Sequence, residues 1–301
     1  MIGYIFVLCA LAAGLTKGYC GKKTSGVITG LRGTVLFNAI RMLICIPIGA
    51  LFVLFTAKGA NFDVDALTLI ISAVSGVSTA MFVVTWIGCV RVGAYMMVDV
   101  LITLGVMIPI FSTAMLFGEE IRLTHIIGLL LLIFTAYLMC SYNNRLNQIG
   151  RINVKQLALL AVCGSFNGIN QFTQKWLRYS TETEVSVYNF YTYIFAACTL
   201  LLLAALMPKQ KSNASEGKKS LPIKRLAIYV TLMSACLFLH SFCSASAAGY
   251  LTSAQLYPLM QGLGLTCSMI MSAVCFGERI TPRCVFGIVT AFAAMLCINL
   301  L

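Results

Sequence analysis

Apolar residues run along this chain in long blocks separated by short polar stretches, and the blocks are too long for the strands of a soluble sheet. Ten blocks are visible, at residues 2–16, 35–55, 66–90, 94–117, 125–142, 154–177, 185–207, 223–247, 252–276 and 281–301. A helix needs roughly 20 apolar residues to cross the hydrocarbon core of a bilayer. It also satisfies its own backbone hydrogen bonds there, which lipid cannot do for it. The pattern predicts an all-α integral membrane protein with ten transmembrane helices. The first block is the shortest. With no basic residues before it and no small-residue cleavage site after it, it reads as a retained helix and not as a signal peptide.

The chain also repeats itself. Leu116-Phe117-Gly118-Glu119-Glu120-Ile121 recurs as Cys275-Phe276-Gly277-Glu278-Arg279-Ile280, an offset of 159 residues. The same offset relates Leu104-Gly105 to Leu263-Gly264 and Gly128 to Gly287. A fainter match joins Asn38 to Asn189. Two units of five helices follow, residues 1–145 and 146–301, with the polar stretch 143–153 as their junction. An odd number of helices per unit turns the second unit upside down, so the expectation is two inverted five-helix repeats with a binding site between them. The polar stretch 208–222 reads as a surface connection.

Composition agrees with the pattern. The chain is 60% hydrophobic and 10% charged, where soluble domains run at about 45–50% and about 25%. Its 13 cysteines scatter through the apolar blocks without a C-x-x-C pair, which fits reduced packing residues and neither a metal site nor a cofactor. The net charge of +12 is explained by topology without nucleic acid. About sixteen Lys and Arg fall in the loops after odd-numbered helices and about four in the loops after even-numbered ones. Cytoplasmic loops are the Lys- and Arg-rich ones, so both termini are expected outside, in a plasma (inner) membrane.

Five plus five helices with Phe-Gly-Glu near the end of each half resemble the drug/metabolite transporter superfamily and its ten-helix EamA-like members. Tyr257 through Gly264, followed by Phe276-Gly277-Glu278-Arg279 and Gly287, is similar to the last two helices of small multidrug resistance proteins. Phe37-Asn38-Ala39-Ile40-Arg41 resembles the arginine-bearing second helix of the ten-helix members. One departure matters. The small multidrug proteins carry a proton-binding glutamate in their first helix, where this chain has Gly14; the equivalent region of the second half offers Asn167 and Gly168. The resemblance implies transport but does not carry over proton-coupled export of drug cations.

Polar side chains inside the blocks mark candidate sites, because they are costly in lipid and usually face a cavity or a partner helix. Asn167, Asn170, Gln171 and Gln174 stand at i, i+3, i+4 and i+7, one helical face. They read as cavity lining, against a polar seam between helices. Asn38 and Arg41 share a face of the second helix; the guanidinium would contact an acidic group of a solute, form a structural ion pair, or snorkel. Tyr95 and Asp99 share a face of the fourth, where Asp99 would hold an amine or a proton, or pair with a base. Tyr188 and Tyr191 on the seventh helix, and Tyr257 and Gln261 on the ninth, offer an apolar surface with a polar tip. His240, among serines of the eighth, is a hydrogen-bonded structural group or a proton sensor.

No triad, phosphate loop or metal-ligand spacing appears, which argues against an enzyme. The expectation is a secondary transporter of a small polar metabolite, such as an amino acid or nucleoside, working by alternating access and in the export direction. Its partners would be that small-molecule substrate, the lipid bilayer and, optionally, a coupling proton; the chain would act as a monomer or homodimer. A proton-coupled exporter of hydrophobic cations is the alternative, and a channel a weaker one.

Overall fold

In a computed structural model of the chain, residues 1–28, 30–56, 62–92, 98–99, 102–146, 154–208, 222–277 and 281–300 are described. They form ten α-helices: α1 (Ile2–Ser25), α2 (Gly30–Thr56), α3 (Ala66–Val92), α4 (Met107–Phe117), α5 (Leu123–Leu146), α6 (Val154–Ser180), α7 (Val185–Leu206), α8 (Ile223–Ala247), α9 (Ser253–Phe276) and α10 (Pro282–Leu300). A 3-10 turn, Leu104–Val106, leads into α4. No strand occurs among the described residues. Helices α1, α2, α3, α7, α8 and α9 are long and apolar enough to cross a membrane, while α4, α5 and α10 contribute shorter apolar stretches. Helix α6 has the length and lacks the apolarity, because the amide stripe and three basic residues run along it.

Helix surfaces explain the composition. On α2, Leu36, Ile40, Leu43, Leu51 and Leu54 are exposed, while Val35, Ala39, Met42, Cys45 and Val53 are buried. The chain is apolar on both faces of this helix, as a helix between protein and hydrocarbon must be.

The first helix is longer than its apolar run. It continues past residue 16 to Ser25, so Lys17, Lys22 and Lys23 are helical and not in a loop. Packing carries it on. Gly21 lets the Trp86 ring approach so closely that a Cβ would lie 2.5 Å from it. Lys22 donates to the Val90 carbonyl at 3.0 Å, and the Lys23 ammonium lies over the rings of Tyr19 and Phe276. Lys175 and Arg178 likewise belong to α6 and not to the loop after it.

The halves interleave. Helix α1 packs mainly on α8, α3 on α6 and α7, α2 on α7, and α5 on α10. Glycines set the closest approaches. At Gly76 a Cβ would lie 2.6 Å from Phe195 Cβ, and at Gly105 it would lie 2.1 Å from the Gly164 carbonyl oxygen. The repeated Phe-Gly has a local cause. Gly118 and Gly277 end α4 and α9 in the left-handed region, with φ of +70° and +65°. Glycine adopts that conformation without a Cβ penalty and so stops the helix.

Candidate functional site

Six helices and the segment before α4 line a cavity of about 150 Å³. A space of about 150 Å³ is comparable to an engineered apolar cavity that binds benzene, so it suits a small solute. Helix α1 contributes Leu11, Gly14 and Lys17, α3 contributes Thr79 and Trp86, and α6 contributes Asn167, Asn170, Gln171 and Gln174. Tyr193 enters from α7, His240, Ser241 and Ser244 from α8, and Tyr257, Gln261 and Ser268 from α9; Asp99 stands before α4.

All four stripe amides therefore face one cavity, and their hydrogen bonds orient them. Ser75 donates to Asn170 Oδ1 at 3.0 Å, and Ser244 to Gln174 Oε1 at 2.7 Å. Tyr257 donates to the Gln171 backbone carbonyl at 2.5 Å. The side-chain Oε1 of Gln171 is buried with no hydrogen-bond partner among the described residues. An unmade hydrogen bond of this kind is expensive in a packed interior.

Asp99 accepts a hydrogen bond from Ser268 at 2.5 Å, which aims its carboxylate along the cavity wall. His240 Nδ1 lies 2.8 Å from the Ala10 carbonyl oxygen. A carbonyl only accepts, so Nδ1 carries the proton and Nε2 is the free nitrogen. The ring also sits against Gly14, where a Cβ would lie 3.2 Å from Nδ1. The position that the sequence resemblance marked for a first-helix carboxylate is thus covered by an imidazole from α8.

Other expected residues lie elsewhere. Asn38 and Arg41 do not line the cavity. Both are buried between α2 and its neighbours, where Arg41 donates to Asn38 Oδ1 at 2.6 Å and stands over the Phe37 ring. Tyr188 is buried behind the amide stripe and donates to Ser75 at 2.7 Å. Tyr191 faces away and donates to the Phe62 carbonyl at 3.0 Å. Tyr95 lies outside the described residues. The lining residues missed from sequence include Lys17, Phe82, Trp86 and Tyr193. Lys17 was hidden by the end of the apolar run, and Tyr193 by the more obvious pair Tyr188 and Tyr191.

A second polar cluster closes one end of α6. Glu119, in the loop after α4, accepts from Tyr179 at 2.5 Å, from Thr113 at 3.0 Å and from the Ser253 backbone at 3.5 Å. It pairs with Lys175 at 3.7 Å, and Lys175 donates to the Leu251 carbonyl at 2.5 Å. Burial pushes the Glu119 carboxyl up, but the bond from Tyr179, the charge of Lys175 and the other donors outweigh it and hold the group below its ordinary value. Phe117 stacks on Tyr179 at 4.6 Å. Its repeat counterpart Phe276 stacks on Tyr19 at 5.8 Å, beside Lys23.

No curated protein sequence matches the chain. A solved crystal structure of a protein resembles it with a TM-score of 0.65 at 11% identity, over 98% of this chain and 94% of its own. At that identity the likeness is one of fold alone. Residues 155–300 match the EamA-like transporter family, whose members are transporters and not enzymes. With the apolar helices, this match supports a multi-pass membrane protein whose second half is similar to the drug/metabolite transporter superfamily.

Proposed function

We propose that the chain is a secondary carrier that moves a small polar metabolite, of the size of an amino acid or nucleoside, across the plasma (inner) membrane by alternating access, in the export direction. The observation that carries this reading is the cavity itself. Helices of both halves enclose it, and its wall mixes amides, hydroxyls and one group of each charge with the aromatic rings of Phe82, Trp86, Tyr193 and Tyr257. Few polar groups placed on an apolar wall fix the orientation of a small ligand.

Packing supports two inverted units, residues 1–145 and 146–301, of five spanning helices each. A shift of five helices turns the α1–α8 pair into α6–α3, and turns α2–α7 and α5–α10 into themselves; all four pairs are present. The left-handed glycines and the Phe–Tyr stacks obey the same exchange. With an inverted repeat, the binding site falls between the units and each mouth is built by one of them. The Lys and Arg distribution keeps both termini outside.

Counterflow in proteoliposomes tests the reading. Vesicles loaded with an unlabelled pool of amino acids and nucleosides should take up the same labelled pool against a diluting gradient, with saturation. A flux that does not saturate and shows no trans-stimulation would replace the carrier with a channel. The pairing of Asp99 with an aromatic wall favours a second reading, export of hydrophobic cations coupled to protons. Exchange of lipophilic cations with no exchange of the polar pool would establish it.

A further inference from the structure

We infer that Lys17 is the group that receives the charged end of the solute, and that the solute is a single carboxylate bearing hydrogen-bond donors elsewhere. The inference rests on the carrier reading of the same cavity and names its substrate class. Lys17 is the cation of the cavity wall among the described residues. It projects from the C-terminal half of α1, about two turns before Ser25, in a helix long and apolar enough to span the membrane, and it makes no hydrogen bond or ion pair with any described residue. Arg41 and Asp99 both lie within electrostatic range of it.

Among the described residues Arg41 has no acidic partner either. Its oxygen contact is Asn38 Oδ1, and its Nε is buried and unpartnered. Two cations thus share one region with one carboxylate, Asp99. A desolvated charge without a counterion is costly. A solute with one negative charge removes that cost at Lys17, which can reach it, while Arg41 stays behind the wall.

The rest of the wall limits what that anion can be. Among the described residues Gln171 Oε1 is an unpartnered acceptor and His240 Nε2 is a second acceptor, while Asp99, which already accepts from Ser268, adds a negative charge to the wall. Acceptors on the same cavity wall as the ammonium call for donors on the solute, such as an ammonium or a hydroxyl. Asp99 also repels a second negative charge. A dicarboxylate or a doubly charged phosphate is therefore disfavoured, and a zwitterion or hydroxy acid fits.

The test compares labelled L-amino acids with their primary carboxamides in counterflow through the full-length protein, for wild type, Lys17→Gln and Lys17→Arg. The readout is the ratio of acid to carboxamide uptake, which does not depend on how much protein folds. Wild type should prefer the acids. Lys17→Gln should lower the ratio by about ten- to hundredfold, the weight of one charge-assisted hydrogen bond, and Lys17→Arg should keep most of it. An unchanged ratio in Lys17→Gln overturns the inference and leaves the carrier standing. So does a wild type that exchanges carboxamides as well as acids, a result that decides the matter even if Lys17→Gln does not fold. If nothing in the pool and no lipophilic cation exchanges, the carrier reading itself fails.

Discussion

Gly118 and Gly277 show how a single residue type can be read in two ways. In the sequence they are part of a repeated motif; in the structure each is a helix stop held at positive φ. A Cβ at Gly118 would meet nothing within 4 Å, so replacing it tests the backbone alone. Gly118→Ala should lower stability by about 1 kcal/mol, the cost of the left-handed conformation for an L-residue, seen as a lower melting temperature in lipid nanodiscs. No change would mean that the loop relaxes to another turn. The amide stripe was legible because four residues on one helical spacing leave little choice of face. Arg41 was legible as a polar group in a helix, but not as a group behind the wall. Spacing along α2 says that Asn38 and Arg41 share a face; only the neighbours α3 and α7 decide what covers it. Tyr193 was lost for the same reason, since aromatic residues on α7 occur on several faces and packing selects one.

At the scale of elements, eight of the ten blocks begin and end close to helix ends, because hydropathy changes where a chain leaves lipid, and the start of the fourth lies outside the described residues. The first block stops short of its helix end. Helix α1 goes on through Lys17-Gly18-Tyr19-Cys20-Gly21, where tertiary contacts, and not apolarity, keep it helical. A hydropathy rule ends such a helix at its first lysine and hides that lysine from the list of lining residues. The polar knot around Glu119 is another element-level feature that sequence alone did not show. It ties the end of α4 to α6 and to the start of α9 through a carboxylate held below the ordinary value of 4.5. A depressed carboxylate adds stability above its unfolded value, and that contribution fades as pH falls through the lower folded value. Glu119→Gln should therefore melt below wild type at neutral pH, with the gap narrowing once the pH drops beneath about 4.5. A gap that stays constant with pH would assign the loss to shape and not to charge.

For the whole molecule, the interleaved packing means that neither half has a complete core of its own. Helix α1 of the first unit lies on α8 of the second, and α3 lies on α6, so the two units are expected to unfold together as one transition. Yet their equivalent seams are not in the same position. Where α4 begins against α6, the backbones of Gly105 and Gly164 touch, and a methyl group at Gly168 would fall 2.2 Å from the Gly105 carbonyl oxygen. At the matching place between α9 and α1, a methyl group at Gly264 would meet only Leu11, at 3.6 Å, and the cavity occupies the gap. On the inverted-repeat reading proposed above, one joint is shut and its twin is ajar. A single added methyl then acts as a wedge with a direction. Gly105→Ala should prise the shut joint open and shift spin-label distances across α4 and α6, whereas Gly264→Ala should leave this arrangement intact and hinder its mirror image, slowing exchange without unfolding the protein. Equal effects from both would mean that the two seams never trade places.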